Sequence, residues 1–110
     1  MKLRASIEDM YHMLSQKHGL LARNDISEIV EKYIPDGTSY ADSVTILHSA
    51  GFAFSRPNPD LPAPSLHAYM DLKSAYFTKV EVAVDVLPDV PGDNRANVGS
   101  VSALIYYSAL

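Results

Sequence analysis

Four histidines, His12, His18, His48 and His67, are the side chains of this 110-residue sequence best suited to proton transfer or metal ligation near neutral pH. Glu8 and Asp9 stand four and three residues before His12 in a helical pattern, so either pair could share an ion. No H-E-x-x-H and no third spaced ligand joins them. An ordinary surface ion pair between helical neighbours is therefore the expected arrangement, and no metal site is expected. His48-Ser49 sets a hydroxyl beside a base, but adjacent helical residues diverge by about 100°. No G-x-S-x-G elbow occurs. His48 is expected at a helix end, where a cation favours the last carbonyls.

The remaining motifs carry little chemistry. Gly37 and Gly51 are isolated and belong to no phosphate-binding loop. Asp85, Asp89 and Asp93 are spaced acids without the dense oxygen ligands and closing glutamate of a calcium loop. Pro59 and Pro62 match P-x-x-P, but a rigid connector inside the domain is the expected role. There is no cysteine, which removes disulfides, thiolate catalysis and Cys-based zinc together. No catalytic residue and no cofactor is expected.

Charge narrows the partners. The net charge of −4 has the wrong sign for affinity through phosphates. Three helices followed by strands is the winged-helix order, yet the third helix holds no Lys or Arg between Ser39 and Gly51 and carries Asp42. Nucleic-acid binding is disfavoured on both counts. The N-terminal residues lack the apolar stretch of a signal peptide, and no apolar run is long enough to span a membrane. The cysteine-free composition fits the cytoplasm, or the periplasm if a signal has been removed.

The elements that would position a site are legible from periodicity. Residues 1–110 read as a single domain. Ser6 and Asp9 form a variant capping box for a first helix with Leu3, Ile7, Met10, Tyr11 and Leu14 on one face, stopped at Gly19 after His18. Asn24 or Asp25 caps a second helix, whose Ile26, Ile29, Val30, Tyr33 and Ile34 make an apolar stripe ended by Pro35. Thr38 or Ser39 caps a third, Tyr40 to Ala50, with Tyr40, Val44 and Leu47 buried. Gly51 closes it and Phe52 folds back over the last turn. The period then changes to two. Strands are expected near 52–56, 66–73, 77–87 and 98–109, with a proline-rich surface loop from Arg56 to Ser65 and a long hairpin loop from Pro88 to Asn97. The expected fold is α+β: three N-terminal helices packed on one face of a four-stranded antiparallel sheet.

The valine ladder Val80, Val82, Val84 and Val86 is expected beneath the helices, and Glu81, Ala83 and Asp85 on the reverse. On the last strand, Val101, Ala103, Ile105, Tyr107 and Ala109 share one side. Ser102, Leu104, Tyr106 and Ser108 share the other. Leu104 and Tyr106 are too apolar for a purely solvated face, and Tyr69 is similar. If register joins them, an aromatic patch bordered by Glu81, Asp85 and His67 results, unless the proline loop covers it. Such patches mark binding surfaces. The expected contact face is Tyr69, Glu81, Ala83, Leu104 and Tyr106, for a protein partner or self-association. The rival expectation is a small-molecule binder or small enzyme, with a pocket between sheet and proline loop that uses His67 or Tyr69.

Ile34-Pro35-Asp36-Gly37-Thr38-Ser39, Ala41-Asp42, Leu47 and Ala50-Gly51-Phe52 resemble a phrase of small bacterial α+β domains of the β-lactamase-inhibitor-protein and small outer-membrane assembly lipoprotein type. There a Gly-Thr or Gly-Ser turn starts a helix that ends in Gly-Phe and enters an antiparallel sheet. The lipidated cysteine and the disulfides of those proteins have no counterpart here. The resemblance implies helices against a four-stranded antiparallel sheet whose open face meets a protein, and it implies no substrate.

Overall fold

A computed structural model of the chain describes residues 2–17, 23–57, 59–74 and 78–109. The order is α1 (Lys2–Lys17), β1 (Arg23–Asp25), α2 (Ser27–Tyr33), α3 (Tyr40–Ser49), β2 (Ala53–Ser55), β3 (Leu66–Ser74), β4 (Thr78–Pro88) and β5 (Val98–Ala109). The class is α+β as expected, but the sheet has five antiparallel strands, ordered β1-β5-β4-β3-β2, rather than four.

The extra strand comes from residues that carry no period-two signal. Arg23, Asn24 and Asp25 pair with Tyr106, Ile105 and Leu104 at the β5 edge. Asn24 is buried and its side-chain amide donates to the Ile105 carbonyl (3.4 Å). Asn24 is thus a strand residue, not a helix cap. Ile26 occupies the N-cap position of α2 and is itself buried. Asp25 keeps part of the expected role, since its carboxylate accepts the Ser27 N–H at 2.8 Å. Ile26 N–H donates to the Ala103 carbonyl (2.9 Å) and the Ser27 hydroxyl accepts from Ala103 N–H (3.0 Å), so the start of α2 is fastened to β5.

Two other helix signals are corrected. α1 begins at Lys2, so Ser6 lies inside the helix and its hydroxyl meets the Tyr33 hydroxyl (2.8 Å) instead of capping. The expected stop at Gly19 after His18 lies outside the described residues. On α3, Val44 is 37% exposed and Ser43 is buried in its place, its hydroxyl donating to the Ser39 carbonyl (3.0 Å). A small hydroxyl that satisfies itself locally can be buried at little cost, so hydropathy alone mislabels this turn.

The ends of α3 follow the sequence. Ser39 accepts the Asp42 N–H through its hydroxyl (3.1 Å), a capping bond. At the other end Phe52 N–H donates to Leu47 O (3.0 Å) and Gly51 N–H to His48 O (3.0 Å), with Gly51 at φ +100°. These two bonds are the Schellman pattern. Leu47 and Phe52 are both in the core.

One buried cluster gathers Leu3 and Ile7, Val30 and Ile34, Leu47 and Phe52 with Val80, Val82, Val84 and Val86 and with Val101, Ala103 and Ile105. All four valines of β4 are buried. Each contributes roughly 1.5–3 kcal/mol by leaving water. Val98 joins them from the opposite parity of β5. The ladder explains this: Leu87 pairs with Ser100 and Pro88 with Val98, so Gly99 is the extra residue of a bulge.

Candidate protein-docking face

Register assembles the reverse side of the sheet into rows. Ala53, Tyr69, Ala83, Leu104 and Asp25 are successive cross-strand partners from β2 to β1. Asp71, Glu81, Tyr106 and Arg23 form the next row, and Ser55, His67, Asp85 and Ser102 the row on the other side. All five residues expected on the contact face therefore lie in two adjacent rows. Tyr69 is 39% exposed, while Ala83, Leu104 and Tyr106 are half-buried and the Glu81 side chain is 17% exposed.

The polar groups of the face are organised. The Tyr106 hydroxyl donates to Glu81 Oε2, and Lys79 Nζ lies 2.9 Å from Glu81 Oε1. Both glutamate oxygens are thereby engaged. Lys79 also reaches Asp71, at 3.5 Å. These donors hold the Glu81 carboxyl below its ordinary value, the Tyr106 hydroxyl first and Lys79 second. Burial, reinforced by the neighbouring glutamate, pushes the Tyr106 phenol up to about 12.

That shift has a measurable sign. The folded phenol holds its proton more tightly than the unfolded one, whose value is 10.0. Its contribution to stability is intact below that value and is lost as pH rises from 10.0 to about 12. A spectrophotometric titration of wild type and Tyr106→Phe should show one phenolate signal near the upper value in the wild type alone. A wild-type titration with every tyrosine near the ordinary value would contradict the arrangement. Glu81 acts in the opposite window, since its depressed value stabilises the fold above the unfolded value of 4.5 and is lost as pH falls.

His67 Nδ1 stands 2.7 Å from Asp85 Oδ1, across the β3–β4 ladder. This is the acid within hydrogen-bond reach that a proton-transfer site requires. It sits on the face of the sheet. Two cavities among the described residues, of about 270 and 380 Å³, lie beside Met10 and Ile29 of α1 and α2, and neither is lined by His67 or Asp85. The proline segment is tied down at its end: the Tyr40 hydroxyl donates to the Pro64 carbonyl (2.6 Å) and Gly92 N–H to the Ala63 carbonyl. It leaves Tyr69 open.

The other chemical candidates are dispersed. Glu8 pairs with Arg4 at 3.0 Å, and His48 is exposed in the last turn of α3. Among the described residues no three His, Asp or Glu side chains converge as metal ligands, and no helix is long and apolar enough to cross a membrane. Asp25, Asp71, Arg23 and Lys79 also belong to the face, beyond the five residues expected there. Parity with Tyr69 and Glu81 along β3 and β4 placed Asp71 and Lys79 there already, whereas Arg23 and Asp25 depended on the unforeseen strand. Comparison with protein-family models, curated proteins and solved structures finds no match for this chain.

Proposed function

We propose that the chain is a non-enzymatic protein-interaction domain, an inhibitor, immunity or accessory protein, that docks through the open face of its sheet. In this reading the three helices roof the valine side, and Tyr69, Glu81, Ala83, Leu104 and Tyr106 meet the partner. The observation that carries it is the register of Tyr69, Ala83 and Leu104 in one row beside Glu81 and Tyr106, with Tyr69 exposed. The face holds four carboxylates, Asp25, Asp71, Glu81 and Asp85, against Lys79 and Arg23. Charge complementarity therefore selects a partner with a basic surface.

The experiment compares capture of host proteins by the wild type, by face variants and by Val44→Ser on α3. The captured protein is then purified and titrated calorimetrically. Tyr106→Ala and Leu104→Ala should each weaken binding by more than about 1 kcal/mol, with melting of the free domain showing that it still folds. Binding that survives both substitutions and fails with Val44→Ser would overturn the reading. Sedimentation of the chain alone tests self-association through the same face.

The second reading, a small-molecule binder or small enzyme, draws its support from the His67–Asp85 pair. His67→Asn separates the two. It should leave partner binding largely intact if the face is a docking surface, and abolish any turnover if the pair is a proton-transfer site.

A further inference from the structure

Tyr69 stands in unusual company. Its cross-strand partners are Ala53 on one side and Ala83 on the other, the smallest side chains able to occupy those positions. Neither can cover an aromatic ring, and the residue remains 39% exposed. On its own strand it is flanked on the same face by His67 and Asp71, and diagonally across β4 by Glu81 and Asp85. Diagonal neighbours on a sheet face lie about 7–8 Å apart, within reach of long side chains.

The carboxylates differ in spare capacity. Glu81 uses both oxygens, on Tyr106 and Lys79. Asp85 uses one on His67. Among the described residues Asp71 has only the 3.5 Å pair with Lys79, and its side chain is 53% exposed. An ionised carboxylate can accept about four hydrogen bonds. The open ring and the under-used acid are therefore adjacent, on a floor of methyl groups.

The geometry points to Tyr69 and Asp71 as the receiving site for an arginine side chain of the partner, the guanidinium lying over the phenol ring and forked onto the Asp71 carboxylate. This rests on the docking role proposed above and names the chemistry at its centre. Arginine fits better than lysine because its cation is planar and weakly hydrated. It stacks on aromatic rings and bonds a carboxylate through two N–H groups at once. Lysine offers a compact, strongly hydrated charge.

The test uses the full chain and three short Gly-Ser peptides, carrying two arginines, two lysines or two citrullines. Amide resonances are followed by NMR during titration. The arginine peptide should shift Tyr69 and Asp71 and bind about threefold or more tightly than the lysine peptide, and the citrulline peptide should not bind. Asp71→Asn should weaken arginine binding about threefold or more. Tyr69→Ala should weaken it roughly two- to fivefold, and Tyr69→Phe, which keeps the ring, by less than about twofold. Equal binding of the arginine and lysine peptides, or an Asp71→Asn variant that binds as wild type, overturns the assignment. Leu104→Ala separates this from the docking role. If partner binding depends on Leu104 while the peptide ignores Asp71, only the arginine site falls. If the peptide obeys these expectations while partner binding is indifferent to Leu104, only the docking role falls.

Discussion

Phe52→Ala is expected to remove about 3–5 kcal/mol of stability, the range for emptying a core aromatic position. Domains of this kind hold only about 5–15 kcal/mol in total, so the variant should lie near the edge of folding. Phe52 is 3% exposed and belongs to the same cluster as Leu47. It closes the Schellman turn and directly precedes β2, so one side chain fixes how the chain leaves α3 for the sheet. The backbone bond to Leu47 survives the substitution, which isolates the side chain as the cause. Urea denaturation should show the midpoint falling by about 2 M if the slope is near 2 kcal/mol/M. Phe52→Leu, which keeps most of the volume, should cost less than about 1.5 kcal/mol. Equal losses in the two variants would mean that the turn, not the packing, is at stake.

Gly99→Ala should cost about 3 kcal/mol, at the upper end of the usual range for overpacking. The reason is space. A Cβ at Gly99 would stand 2.6 Å from Asp89 Cα and from the Pro88 carbonyl oxygen, and 2.7 Å from Asp89 N. These are backbone atoms of the strand end and loop that face it, and they cannot rotate away. The bulge would have to open, loosening Val98 from the core. Gly37 supplies the control. It has φ +89° with nothing within 4 Å of an added Cβ. Gly37→Ala should therefore lose only the conformational penalty, about 1–2 kcal/mol. If the two substitutions cost the same in parallel thermal and urea melts, the close approach at Gly99 is not what holds the bulge.

Much of this architecture could be read along the chain. β3, β4 and β5 announce themselves because one side of each is apolar and the other is not, and their observed limits fall within a residue or so of the period-two segments. The helix stop at Gly51 was legible because a left-handed residue followed by a large apolar one has few other uses. β1 was not legible. Three polar residues acquire strand geometry only because β5 offers them an edge, and that pairing is non-local. The same cause explains Val98, whose inward direction requires a bulge that no local pattern records. Ser6 misled because a hydroxyl followed by an acid three residues later describes a cap equally well inside a helix that has already begun.

The candidate face was legible in composition and not in arrangement. That Tyr69, Leu104 and Tyr106 were surplus to the core followed from parity. Which of them sit side by side depended on the pairing of β3 with β4 and of β4 with β5. The locked state of Tyr106, with its hydroxyl given to Glu81, also needed coordinates. It leaves Tyr69 as the more exposed ring.

The alternation along β4 separates two kinds of heredity. Val80, Val82, Val84 and Val86 answer to the interior, and Lys79, Glu81, Ala83 and Asp85 answer to whatever approaches from outside. A substitution in the second set leaves the volume and apolarity of the first untouched. On the docking role proposed above, descendants of this chain can thus change associates at positions 69, 71, 83 and 104 while keeping one unchanged scaffold. A library randomised at those four sites should return folded members in abundance.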